Sequence, residues 1–294
     1  MFVHDFNGLG VFGRALSKKI NPELVEVFEA LAGVAAARHI HYFVVEATAR
    51  YMILSYGHGI SIKRATVDID LGVEVADWEE FYSLKDGLVG LGQFESTQAA
   101  QRLLYKRELP IDIVPFGPLE HVNKEISWPP DHSVKMNVLG FEDAYRNAQV
   151  VRLSSDPVLD IPFATPAGLA ILKIIAWNDR TPQGSKDAGD LAFLMRHYLD
   201  VGNQERLAEE HPDLLAVDDF DYERTGARLL GRDMVAVMSL ETRKVVLEIL
   251  DRETDNPERY RLVEDMMGNF VKTGDAFEEF LKFLSALKSG IQEG

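Results

Sequence analysis

Apolar residues recur along the first third of the chain with two different spacings, and the switches between them sketch a mixed fold. Leu24, Phe28, Leu31 and Val34 fall at three- and four-residue steps. They mark one face of a helix that Asn21 caps, Pro22 opens and about Arg38 ends. His41 to Val45 is an aromatic and β-branched run that predicts a strand, and Ala47 to Tyr56 returns to helical spacing before Gly57. Arg64 to Val75 is the next expected strand. Asp77-Trp78-Glu79-Glu80 has the form of a capping box that starts a helix towards Leu91. Strands are expected again at Gln101 to Lys106 and at Leu109 to Phe116. Tandem proline in Ser127-Trp128-Pro129-Pro130-Asp131 cannot continue a ladder, so a loop is expected there, followed by an edge strand at Val134 to Val138.

From about Pro166 the spacing turns helical: Gly168 to Trp177, then Ala188 to Tyr198, then a helix-rich tail. Pro212 to Asp221 has the composition of an acidic linker. This order predicts an α+β protein: a mixed sheet flanked by helices, with its N-terminal helix, over 1–155, and a mainly helical C-terminal domain over 156–294.

Composition narrows the function. Among the 294 residues there is no cysteine, which removes disulfides, thiolate metal sites and cysteine nucleophiles and fits a cytoplasmic location. No apolar run is long enough to cross a bilayer, so no membrane partner is expected. A net charge of −16 argues against a protein that coats DNA with its general surface. The charge is uneven, however: residues 200–294 carry 22 acids against 12 bases. Bases gather instead at Lys63-Arg64, Arg102, Lys106-Arg107 and Lys173 to Lys186, which leaves room for a local phosphate-binding groove.

Asp68-Ile69-Asp70 carries the sharpest chemical signal. Residues two apart on a strand share a face, so both carboxylates point the same way. At about 4 Å and an effective dielectric near 20 they repel by roughly 4 kcal/mol. Such a pair suits a hard cation with open coordination positions, Mg²⁺ above all. Two solvated acids at a strand end are the bland alternative. Asp112 adds a third acid, flanked by Ile111 and Ile113. A carboxylate in so apolar a strand needs a cation, a base or strong donors; a shared metal site with Asp68 and Asp70 and an ion pair to Arg or Lys both meet that need. Lys173 interrupts an otherwise apolar helix, with Arg180 seven residues on and nearly on the same face. Two cations there would suit a triphosphate, although a lone lysine also snorkels readily to solvent. Asp187 and Asp190, one turn apart, either orient those bases or cap the following helix.

Four stretches in order carry a resemblance: Arg64-Ala65-Thr66-Val67-Asp68-Ile69-Asp70, Ile111-Asp112-Ile113-Val114-Pro115-Phe116-Gly117, Leu172-Lys173-Ile174-Ile175-Ala176-Trp177-Asn178-Asp179-Arg180 and Lys186-Asp187-Ala188-Gly189-Asp190. Together they resemble the AbiEii/AbiGii family of nucleotidyltransferase toxins, within the DNA polymerase β-like nucleotidyltransferase superfamily, over roughly residues 40–200. The resemblance implies a polymerase β-like mixed sheet flanked by helices. It implies catalytic and metal-holding roles for Asp68, Asp70 and Asp112 around two Mg²⁺ ions, with Asp112 helping to activate the acceptor hydroxyl. It places Ala47, Thr48, Arg64, Thr66, Lys173 and Arg180 on the nucleotide and gives Arg50, Lys186, Asp187 and Asp190 supporting roles. NTP is then the donor and a tRNA 3′ end, as in MenT-like relatives, or a protein side chain the acceptor. A separately encoded antitoxin is the implied partner. An Asp112 remote from the other two acids, or salt-bridged elsewhere, would contradict this set of expectations.

One position departs from that pattern. Where the family has glycine before the helix that approaches the triphosphate, this chain has Glu46, followed by Ala47, Thr48, Ala49 and Arg50. Glu46 either faces the nucleotide and repels it, giving an impaired or non-catalytic nucleotide-binding module, or sits at the helix N-terminus pointing away. A nucleotidyltransferase acting on a small molecule is a further alternative. His39 and His41 lack a third ligand and are expected to be structural. Gly8-Leu9-Gly10-Val11-Phe12-Gly13 matches a dinucleotide-binding string by chance, because no strand precedes it. Phe277, Phe280, Leu281 and Leu284 form a stripe expected to pack in a core.

Overall fold

The sheet is organised by rows of cross-strand partners, and neighbouring rows face opposite sides. In the computed structural model, which describes residues 20–53, 58–59, 68–180, 185–216, 219–255, 260–268 and 274–294, the chain first forms α1 (Pro22–Arg38), β1 (His41–Val45) and α2 (Glu46–Arg50). Then come β2 (Ile69–Glu74), α3 (Trp78–Val89), β3 (Phe94–Ser96), β4 (Arg102–Tyr105) and β5 (Leu109–Phe116). A two-stranded ribbon, β6 (Glu125–Trp128) and β7 (Val134–Asn137), precedes α4 (Phe141–Arg146), β8 (Gln149–Ser155) and β9 (Val158–Phe163). Helices complete the chain: α5 (Pro166–Asp179), α6 (Ser185–Arg196), α7 (Gln204–Glu209), α8 (Tyr222–Val237), α9 (Leu240–Asp255), α10 (Arg261–Met267) and α11 (Gly274–Glu293).

Seven strands make one mixed sheet in the order β3-β4-β5-β2-β1-β9-β8. β2 runs parallel to β5 and β1 parallel to β9, while the other described pairings are antiparallel. Phe163, Val44, Leu71 and Ile113 are partners along one row across four strands, and all are buried. Phe28 of α1 meets Phe163 edge-on at 5.8 Å, so α1 covers the face this row presents. Burying each such side chain contributes about 1.5–3 kcal/mol. The expected α+β architecture, a mixed sheet with flanking helices followed by a helical region, is what the chain forms.

Several element boundaries differ from the sequence reading. The capping box is real in half: Asp77 accepts from the Glu80 backbone N–H at 2.9 Å, but Glu80 returns its bond to Ala76. The helix expected from Ala47 begins one residue earlier, at Glu46, and widens into a π turn at 51–53; Tyr56 and Gly57 lie outside the described residues. The strand expected from Arg64 begins only at Ile69, and residues 60–67, with Arg64 and Thr66, are also outside them. Ser127 and Trp128 belong to β6, so the proline pair ends a strand and the loop starts after it. β3, β8 and β9 were not anticipated, although β8 and β9 alternate regularly, with Val151, Leu153, Leu159, Ile161 and Phe163 buried and Arg152, Asp160 and Pro162 between them. Pro212–Leu214 forms a short 3₁₀ turn with Leu214 buried, and Asp221 caps α8 through the Arg224 N–H at 2.7 Å, so part of the expected linker is structured.

Contacts divide the chain into two units. The first comprises 1–121, 128–130 and 147–165, and the second 122–127, 131–146 and 166–294. This division differs from a single boundary at 155/156 in two places: the β8–β9 hairpin stays with the sheet, and the stretch around β7 and α4 joins the helices. In the helical unit α5 is buried around nearly its whole circumference, as a helix apolar on all sides must be. α8 and α11 approach through glycines: a Cβ on Gly231 would run into the Leu287 carbonyl oxygen, and one on Gly290 into that of Arg228. Of the tail stripe, Phe280 and Leu284 are buried and Phe277 and Leu281 half-buried, as core packing requires.

Candidate active site

One step along the strands from the apolar row lies a polar one. Val45, Asp70, Asp112 and Arg102 are successive partners on β1, β2, β5 and β4. Adjacent strands are about 4.8 Å apart, so Asp70 and Asp112 stand side by side on one face, opposite the face α1 covers. Asp68 precedes β2 instead of lying within it, so strand alternation does not orient it. Its position is held another way: Thr48 of α2 is buried and donates its hydroxyl to the Asp68 carbonyl oxygen at 2.8 Å.

Arg102 binds the acids together. Its Nε and Nη2 donate to the two oxygens of Asp112 at 2.7 and 2.6 Å, a bidentate fork. Nη2 also lies 3.9 Å from Oδ2 of Asp68. The Asp112 bond, and then the fields of Asp112, Asp68 and Asp70, push the guanidinium pKa above its ordinary value against the opposing effect of burial. Asp112 is 18% exposed and Asp68 43% exposed, so the cluster is open to solvent on the Asp68 side. Nearby, buried Lys85 donates to the Ala100 carbonyl; burial holds its pKa down while Asp86 and Asp112 oppose that shift. Of the two alternatives for Asp112, the structure therefore contains the ion pair, and its partner belongs to the same cluster.

Register sets this pairing. The turn between β4 and β5 has Lys106 and Arg107 at φ 48° and 65°, the left-handed pair that a tight hairpin turn demands. Lys106 is tied to Glu26 at 2.6 Å and Arg107 to Glu95 at 2.7 Å. With Tyr105 opposite Leu109, Arg102 must fall opposite Asp112. Arg102 was not among the site residues expected from the sequence, although counting back from this turn would have found it.

Glu46 directly follows Val45, the partner of Asp70, and its backbone has φ 56°. That is the left-handed region where glycine is favoured and another residue costs about 1–2 kcal/mol. The backbone thus keeps the shape that calls for glycine while carrying a carboxylate. Arg50 is half-buried in the last turn of α2.

The other expected group lies in the helical unit. Lys173 is 2% exposed and sits 2.8 Å from Asp187 and 3.1 Å from Asp190. Arg180, 47% exposed, reaches Asp187 at 3.3 Å. Of the two expectations for Lys173, snorkelling is overturned by burial. A direct phosphate contact does not match this arrangement either, because its ammonium is committed to two buried carboxylates. Asp187 and Asp190 do orient Lys173, and Lys186 is exposed in the first turn of α6. His39 ends α1 in a left-handed conformation and His41 pairs with Glu74 at 3.0 Å. The helical unit also has a concavity of about 480 Å³, lined by more acids than bases, in which Arg196 pairs with Glu223 and Arg224 with Asp219. Gly8 to Gly13 lies outside the described residues.

The donor chemistry at the sheet suits a divalent cation: Asp68, Asp70 and Asp112 offer only oxygen, and two of them, Asp68 and Asp112, lie within ion-pair reach of Arg102. The positions are not those of a finished cage. Among the described residues no three His, Asp or Glu side chains are gathered closely enough to hold an ion, and both Asp112 oxygens turn to Arg102.

Asp70 and Asp112 are thus partners on neighbouring strands of a mixed sheet, with α2 anchored beside them through Thr48. Residues 47–282 match the family model described as nucleotidyl transferase AbiEii toxin, type IV toxin–antitoxin system, and the chain belongs to that family. No curated protein matches it. Similar solved structures include a CCA-adding enzyme in complex with ATP, at 15% identity and TM-score 0.32, covering 91% of this chain and 69% of that one. The Thermotoga maritima CCA-adding enzyme complexed with tRNA is similar at 14% identity and TM-score 0.26, covering 95% and 83%. Identities and scores this low leave the functional reading to the family match and the site. No described helix is long and apolar enough to cross a membrane.

Proposed function

We propose that this nucleotidyltransferase toxin transfers a nucleoside monophosphate from an NTP to a hydroxyl acceptor at the Asp68, Asp70 and Asp112 cluster, with Mg²⁺ and with a tRNA 3′ end as the acceptor. The observation that carries this reading is the sheet row in which Asp70 and Asp112 are direct partners, with Asp68 at its mouth. Mg²⁺, when bound, would neutralise charge on the triphosphate and on the departing pyrophosphate. Asp68 and Asp70 hold the cation side of the site, and Asp112 takes the proton of the acceptor hydroxyl. The acceptor oxygen forms a bond to the α-phosphorus as the bond to the bridging oxygen breaks, and pyrophosphate leaves. Thr48 positions the Asp68 segment through its hydrogen bond. The tRNA acceptor follows from the likeness of the motifs to tRNA-modifying toxins, and a cognate antitoxin follows from the family.

The test is incubation with each NTP labelled at the α-phosphate, together with total RNA and total protein. Label entering tRNA, and absent with Asp70→Asn and Asp112→Asn, is the expected result. Label that persists in both variants contradicts the site. Label in protein contradicts the acceptor alone.

Glu46 favours a second reading, of a chain impaired in triphosphate binding, because its carboxylate occupies a backbone shape suited to glycine. Thermal stabilisation by Mg²⁺ and NTP in Glu46→Gly but not in the natural chain supports that reading. Equal stabilisation of both removes it.

A further inference from the structure

The carboxylate cluster already contains a cation of its own. Both oxygens of Asp112 are taken by the Arg102 fork at 2.7 and 2.6 Å, and the same guanidinium lies 3.9 Å from Asp68. A guanidinium keeps its charge at any physiological pH. In this arrangement it holds the oxygens that a metal ion would need. The fork takes one lone pair on each Asp112 oxygen, and a divalent ion on the same carboxylate would be repelled by the guanidinium beside it, so the two compete. Arg102 is itself 37% exposed, which leaves its side chain room to leave Asp112 without unpacking the core.

We propose that Arg102 is the built-in counter-ion of this site: it neutralises Asp112 when no divalent cation is present, competes with the cation for Asp112, and is released towards solvent when the cation binds. The proposal rests on the cation-site reading above. It makes Arg102 a positioning residue that sets how tightly the site takes metal. It also accounts for an arrangement in which three acids gather without forming a finished cage. The released guanidinium, still carried by β4 beside the acids, is then free to meet the negative charge of an incoming triphosphate.

The experiment is Mn²⁺ binding to the full chain without nucleotide, followed by electron paramagnetic resonance, together with thermal unfolding in EDTA and in Mg²⁺. Arg102→Gln should bind Mn²⁺ at least roughly fivefold more tightly, since a competing charge-assisted fork is gone. It should also melt lower than the natural chain in EDTA and recover much of that loss in Mg²⁺. Arg102→Lys, which keeps the charge without the fork, should fall between the two and serves if the glutamine variant does not fold. Unchanged or weaker Mn²⁺ affinity in both variants, with equal loss of Tm in EDTA and Mg²⁺, overturns the proposal and leaves Arg102 a structural clamp. Asp70→Asn separates the two levels. If it abolishes Mn²⁺ binding while the Arg102 variants change nothing, only this inference fails. If it leaves Mn²⁺ binding intact, the cation site itself fails.

Discussion

Two charged clusters, one in each unit, obey opposite rules. In the helical unit Lys173 and Arg180 face Asp187 and Asp190, two positive charges against two negative, and Lys173 is sealed at 2% exposure. At the sheet, Arg102 clasps Asp112 and lies 3.9 Å from Asp68, Asp70 is the cross-strand partner of Asp112, and the Asp68 side is open. A balanced, closed cluster answers its own electrostatics and holds helices together. An open one leaves room for a ligand from outside. The contrast separates a structural group from a candidate active site more sharply than residue type does, since both contain the same kinds of side chain.

The largest expected effect tests the open cluster. Asp70→Asn should lower nucleotide transfer by roughly 10³-fold, the scale of losing electrostatic support for a transition state, while the chain still unfolds in one cooperative transition. A labelled-NTP assay beside a melting curve checks both halves.

The closed cluster should respond the other way round. Lys173→Met leaves Asp187 and Asp190 buried without their ammonium partner, a loss of about 3–5 kcal/mol. Arg180→Ala, at a half-exposed position, should cost no more than about 1 kcal/mol. Denaturant unfolding measures both; similar values for the two variants would break the distinction between interior and rim.

A substitution that spares every charge sharpens the comparison. Gly290→Ala drives a methyl group into the Arg228 carbonyl where α8 and α11 cross, and should destabilise by about 1–3 kcal/mol. Mn²⁺ affinity should stay at the natural value, because the sheet cluster is untouched. The smallest effect is expected at Glu46→Gly. Relief of the left-handed backbone, offset by glycine's greater freedom when unfolded, should stabilise by up to about 1 kcal/mol. A loss of stability there would mean that the Glu46 side chain contributes more than its backbone costs.

The parts legible in the sequence are those governed by local spacing. α1 and β1, the Asp77 cap and the apolar period of α5 follow from residues within one or two turns of each other. The acids of the site were legible too, since a charged residue between isoleucines stands out. What was not legible depends on register between distant strands. Nothing near Asp112 in its own strand names Arg102 as its partner; only the length of the β4–β5 turn does. β9 alternates locally through Leu159, Ile161 and Phe163, but its parallel pairing with β1, more than a hundred residues away, is written in no local pattern. For Lys173 the sequence offered a phosphate contact, a path to solvent and orientation by Asp187 or Asp190, and the last is the one the structure contains. Sequence shows a base in an apolar helix, but its fate is decided by Asp187 and Asp190 arriving on the next helix.

The central claim is that Asp68, Asp70 and Asp112 converge on divalent cations and the nucleotide. A crystal structure with Mn²⁺ and a non-hydrolysable NTP analogue tests it most directly. The account predicts anomalous density against those three carboxylates, with the Arg102 fork withdrawn from Asp112. A nucleotide bound elsewhere, with Arg102 still clasping Asp112 and no metal beside Asp70, would contradict it.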